Sequence, residues 1–281
     1  MHYALVAVIL LALECCAEKG TFTYSNPVVS SNAPDPGVLL LNGTYWMVST
    51  AGDSNTVFPL RSSPNLVEWT SHSPTFQAGS PTWASGSFWA PELHVLSSGK
   101  LVLYFTARER ISNRLCVSVA VANSDDDPSA GFVDALGGCL VEDELGAIDA
   151  TFYKENAREY LIWKVDGNSQ GKPTPIMIRE LDPSGTSFKI GSAATEILRD
   201  SLPWEGGPSL VEGPWLVKID RLYFLFYSGS GYAGTSYAVG VARSTSLQGP
   251  YEKACAPILS FYPRSTDDAQ TFAFAGPGQS I

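Results

Sequence analysis

A chain of 281 residues with a formal net charge of −10 and only 16% charged side chains is a poor match for nucleic acid or an anionic membrane, and it suits a neutral substrate. Its 25 glycines, 19 prolines and 11% aromatic residues describe a turn-rich all-β protein with aromatic surfaces. The length favours one domain with a large core.

The chain opens on an unbroken apolar stretch, Ala4–Leu13, closed by Cys15-Cys16-Ala17. Residues 1–17 therefore read as a secretory signal, although only His2 and the α-amine supply its positive end. The apolar run is too short to span a bilayer, and no later segment reaches that length. The expectation is a secreted, soluble protein whose domain covers residues 22–281.

Four later segments share one plan: an acid, an apolar run, a short polar turn, then an aromatic-rich strand. Asp35 precedes GVLLL, the Asn42-Gly43 turn and TYWMV; Glu92 precedes LHVL, the Ser98-Gly99 turn and LVLYFTA. Asp149 precedes ATFYK, the Glu155-Asn156 turn and EYLIWKV; Glu212 precedes GPWLV, the Lys218–Arg221 connection and LYFLFY. These acids stand 57, 57 and 63 residues apart. That period, with about four strands per unit, signals a β-propeller whose first strands line a central channel. The repeat aims several acids at one axis.

The second half of each unit also recurs. Leu60–Trp69, Val119–Phe132, Ile178–Phe188 and Val241–Tyr251 each give a strand, a polar turn and an aromatic before a fourth strand. Asp125, Asp126 and Asp127 fall in such a turn and lack the alternation of a calcium loop, so they read as solvated. His72 and His94 show no ligand pairing. Asn42-Gly43-Thr44 is a glycosylation sequon on a hairpin turn. Once Cys15 and Cys16 leave with the signal, Cys116, Cys139 and Cys255 allow one bridge in three ways. Cys116 with Cys139 is favoured, because VSVAVANS and CLVED read as neighbouring outer strands; Cys255 is then a buried thiol.

NAPDPGV, FWAPEL, AIDATF, and LVEGPWLVK with YFLFYSGS resemble, in order over roughly residues 26–280, the blade signatures of glycoside hydrolase family 43. That family comprises five-bladed propeller enzymes acting on arabinan, arabinoxylan and xylan. The resemblance implies a general base at Asp35, a general acid at Glu212, and at Asp149 a carboxylate that orients the acid and raises its pKa. It also implies inversion at the anomeric carbon, for which acid and base stand about 6.5–9.5 Å apart. Glu92, in the matching place of the second unit, reads as a structural or substrate-contacting acid. Phe88, Trp89 and Trp204 are the candidates for a sugar-stacking platform, with Trp83 behind them.

The chemistry needs no cofactor. A calcium ion on the propeller axis is doubtful, because Gln279 in GPGQS stands where the family often has His. The expected architecture is thus a five-bladed propeller whose fifth blade is cut short after Ile281, about fifty residues being needed to complete it. The expected partner is plant cell-wall oligo- or polysaccharide, acted on by a monomer that cleaves α-L-arabinofuranosyl bonds. A β-xylosidase, or a sugar-binding propeller without activity, are the alternatives.

Overall fold

The computed structural model describes residues 24–51, 57–206 and 210–261; the signal-like residues 1–17 and Gln279 lie outside these. Sixteen strands form four antiparallel sheets of four, each in chain order. The first blade holds β1 (Gly37–Leu41), β2 (Thr44–Val48), β3 (Leu60–Ser63) and β4 (Thr70–Ser71). The second holds β5 (Ala84–Val95), β6 (Leu101–Glu109), β7 (Leu115–Ala122) and β8 (Phe132–Asp134). The third holds β9 (Ala147–Glu155), β10 (Arg158–Val165), β11 (Ile176–Glu180) and β12 (Thr195–Leu198). The fourth holds β13 (Val211–Ile219), β14 (Leu222–Gly229), β15 (Ala238–Ser244) and β16 (Glu252–Lys253). This is an all-β propeller, but with four blades among the described residues rather than the five expected. The stretch expected to open a fifth, Gly276–Ser280, is not among the described residues.

Alternation along the second strands holds the blades together, because successive side chains of a strand leave from opposite faces. From β6, Leu103 and Phe105 enter a core shared with Val48, Phe58 and Leu60 of the first blade. Val102 and Tyr104 leave the other face to meet Leu161 and Trp163 of β10. Tyr160 and Ile162 of β10 then pack on Leu225 and Tyr227 of β14. The second and third blades are thereby covered on both faces, which is why β6 and β10 read as continuous apolar runs. The outer blades differ: Leu39 and Leu41 of β1 pack inward, while Val38 and Leu40 are 41% and 56% exposed.

Turn chemistry sets the registers. Asn42 and Gly43 both take positive φ (50° and 79°), the two-residue hairpin form whose twist matches the strands. The third blade's turn falls on Asn156-Ala157 (φ 50° and 60°), one residue later than expected, because Arg158 pairs with Glu155. Its fourth strand starts at Thr195 rather than just after Phe188. Phe188 bridges back to Leu181, and its ring lies 4.4 Å beneath the Arg179 guanidinium.

Cys116 and Cys139 form the disulfide, with Cα atoms 5.8 Å apart, tying β7 to the segment where Val141 bridges Val117. Cys255 is free but exposed, not buried: it follows the two-residue edge strand β16, which no other strand flanks on its outer side among the described residues. Among the described residues no helix is long and apolar enough to cross a membrane.

Candidate active site

The first strands of successive blades lie against one another, β1 on β5, β5 on β9 and β9 on β13. Rings from three of them meet there: His94 of β5 lies 5.2 Å from Phe152 of β9 and 6.5 Å from Trp215 of β13. Each first strand also carries a slip where it leaves the ladder. Pro34 accepts the Thr50 N–H, while Trp89 pairs with Thr106, Ile148 with Lys164 and Glu212 with Ser228. The next residue in every blade takes the left-handed region: Asp35 (φ 52°), Ala90 (42°), Asp149 (56°) and Gly213 (56°). Such residues are rare outside glycine, with Asp among the most tolerant, and an irregularity of this kind re-aims the neighbouring side chains.

This register corrects one sequence equivalence. Ala90, not Glu92, stands in the place of Asp35 and Asp149. Glu92 comes two residues later, buried, with its Oε2 2.8 Å from His94 Nε2. Glu212 comes one residue before the left-handed position, so the three acids reach the site from two different offsets.

The irregular backbone must find hydrogen bonds, since a buried unpaired N–H is costly. The Thr50 hydroxyl accepts the Ala90 N–H at 2.9 Å and donates to Asp35 Oδ2 at 2.5 Å, so one group joins two blades and orients the first acid. Thr106 Oγ1 accepts the Asp149 N–H at 3.2 Å, and Thr174 Oγ1 accepts the Val211 N–H at 2.9 Å. In the fourth blade the Gly213 N–H donates to Asp149 Oδ2 at 3.1 Å.

The three carboxyls are electrostatic neighbours. Burial is the largest influence on Asp35 and raises its pKa; the Thr50 bond opposes this and the Glu212 charge adds to it. Asp149 is pushed up to about 8, first by burial, then by Glu212 and more weakly by Asp35, against the pull of Lys164 and the Gly213 N–H. Asp149 therefore holds its proton to higher pH than an ordinary carboxyl does.

Sequence reading missed Lys164, whose ammonium lies 2.9 Å from Glu212 Oε2 and 3.1 Å from Asp166 Oδ1, with 1% of its side chain exposed. Burial by itself would drive its pKa down, but Glu212, Asp149 and Asp166 outweigh burial and leave it raised. The signal was available: IWKV puts a lysine in the midst of a strand buried on both faces. Tyr237, also missed, hydrogen-bonds the side chains of Ser228 and Glu212; burial and then the Glu212 charge push its phenol up.

The aromatic candidates separate. Trp89, next to Ala90, is 37% exposed and free to face a sugar. Phe88 instead packs edge-on to Phe58 at 5.8 Å in the first core. Trp204 stacks on Tyr227 at 5.8 Å and covers Gly229 and Gly240, where an added Cβ would come within 2.5 and 2.7 Å of its ring. Those glycines leave a slot that the indole fills, and both Phe88 and Trp204 stay half-buried. Among the described residues no three His, Cys, Asp or Glu side chains converge so as to hold a metal ion.

The sequence profile of the family "Glycosyl hydrolases family 43" matches residues 24–278. The chain belongs to glycoside hydrolase family 43. This family 43 chain is 27% identical to a beta-D-galactofuranosidase of Aspergillus niger, over 83% of its own length and 67% of that protein. It is 26% identical to an extracellular exo-alpha-(1->5)-L-arabinofuranosidase of Streptomyces chartreusis, over 85% of its length and 73% of the relative. The solved structure of a thermostable family-43 glycoside hydrolase superposes with a TM-score of 0.73 at 27% identity, covering 85% of this chain and 78% of the other. An endo-arabinase of Bacteroides thetaiotaomicron shares the fold, with a TM-score of 0.71 at 18% identity over 85% and 86% of the two chains.

Proposed function

We propose that this family 43 chain is a secreted, inverting glycosidase that cleaves α-L-arabinofuranosyl linkages in arabinan or arabinoxylan. The observation that carries the reading is the meeting of Asp35, just ahead of β1, with Asp149 of β9 and Glu212 of β13 in one electrostatic neighbourhood. Hydrolysis with inversion asks for an ionised base beside a water and a protonated acid beside the leaving oxygen, on opposite faces of the sugar.

Asp35 takes a proton from water as the water oxygen bonds to the anomeric carbon. Its bond from Thr50 favours the ionised form that a base needs. On the other face the C–O bond to the leaving group breaks, and Glu212 delivers the proton that the Asp149–Glu212 pair has held. Asp149 keeps that proton available at neutral pH. Trp89 offers the apolar side of the ring a stacking surface. Carboxyl chemistry of this kind requires no cofactor.

Furanoside preference is supported by the two relatives just named, which act on arabinofuranosyl and galactofuranosyl groups. A β-xylosidase is the second reading, favoured by 21% identity to a xylan 1,3-beta-xylosidase of a Vibrio species. Release of arabinose from linear arabinan separates an enzyme from a sugar-binding propeller. Faster turnover of an aryl α-L-arabinofuranoside than of an aryl β-xyloside supports the first reading, and the reverse order supports the second.

A further inference from the structure

Lys164 occupies a position that carries a hydroxyl in the other three blades. Thr50, Thr106 and Ser228 stand opposite Pro34, Trp89 and Glu212, and Lys164 stands opposite Ile148. Two of those hydroxyls, on Thr50 and Thr106, accept the N–H of the next blade's left-handed residue. An ammonium has no lone pair to offer. The equivalent N–H of the fourth blade, from Gly213, therefore goes to Asp149 Oδ2 instead.

A lysine buried this deeply is costly unless paired and hydrogen-bonded, and its partners are Glu212 and Asp166. One residue thus has two effects. Its charge holds the Glu212 carboxyl by Oε2, and its lack of an acceptor leaves Asp149 to fasten the backbone next to Glu212. A purely structural strand position would be filled as well by the threonine that the neighbouring blades use.

We propose that Lys164, anchored by Asp166, is a positioning residue that fixes the Asp149–Glu212 pair and sets how readily the pair gives up its proton. This rests on the reading of Glu212 as acid and Asp149 as its partner. The charged and titratable groups facing the pair are Lys164 and Asp166 from β10 and its end, Asp35 ahead of β1, and Tyr237 ahead of β15.

Lys164→Met removes the cation, so the carboxyl pair holds its proton to higher pH and the basic limb of kcat/KM should move up by about one unit. Turnover of an unactivated arabino-oligosaccharide should fall at least about tenfold, while an activated aryl arabinofuranoside, needing less acid assistance, should change by less than about threefold. Asp166→Asn frees more of the ammonium for Glu212 and should move the same limb down. If Lys164→Met fails to fold, Lys164→Met with Asp166→Asn leaves one fewer unpaired carboxylate and should still show the upward shift.

Unchanged limbs in soluble variants, or equal losses on both substrates, would overturn the proposal. Carboxyl carbon NMR titration of Asp149 and Glu212 without substrate gives an independent readout, and the Lys164→Met titration should lie above the parent's. A parent that hydrolyses neither substrate defeats the functional reading alone; identical titrations in parent and variant defeat the role of Lys164.

Discussion

Asp149 Oδ2 accepts the Gly213 N–H at 3.1 Å, so the third blade's acid is fastened to the residue that follows Glu212 in the fourth. The bond fixes Asp149 next to Glu212 while burial and the Glu212 charge push its pKa to about 8. A buried carboxyl held there has consequences for both activity and stability.

Asp149→Asn keeps the size of the side chain but cannot exchange a proton with Glu212. Turnover should drop by about 10²–10⁴, the usual range for loss of acid–base participation, with little change in folded content. The stability profile carries the sign of the shift. Below the ordinary carboxyl value of 3.8 both folded and unfolded chains hold the proton; between there and about 8 the folded chain alone holds it. Stability from this group is therefore full at low pH and is lost as pH rises through about 8. Denaturant titrations should show the parent weakening from roughly pH 5 to 8 more steeply than Asp149→Asn, and parallel curves would contradict the assignment.

Glu212→Ala removes the proposed proton donor. Activity on poor leaving groups should fall by about 10²–10⁴, and much less on activated aryl glycosides, which depart without help. Similar losses on the two substrates would argue against the acid role.

Asp35→Ala removes the proposed base, which both substrates would need, so neither should be turned over appreciably. Residual turnover above about a hundredth of the parent's would count against Asp35.

Thr50→Val deletes the hydroxyl that donates to Asp35 and accepts from Ala90. Without that donor the Asp35 pKa rises further, so the acid limb of kcat/KM should move to higher pH, by about one unit. An acid limb that stays in place would show that the hydroxyl serves only the backbone.

Much of this was legible beforehand, and for physical reasons. Acids at 35, 149 and 212 precede apolar runs at a spacing that only a repeated sheet explains, and export-compatible cysteines at 116 and 139 sit on segments that pair. The misreadings come from register. Ala90 rather than Glu92 matches Asp35 because the irregular turn falls before the acid in β5, and an offset of two residues in a strand is invisible to a period of about sixty. The packing of Trp204 was not legible either, because which face of a blade a ring occupies depends on slots such as Gly229 and Gly240 in other strands. Lys164 was hidden because its partners, Glu212 and Asp166, include one 48 residues away.

The proposed inversion requires two carboxyls working on opposite faces of one sugar ring. Proton NMR of the first product formed from an aryl α-L-arabinofuranoside reads this out: β-L-arabinofuranose should appear first and then mutarotate, and initial release of the α-anomer would rule inversion out.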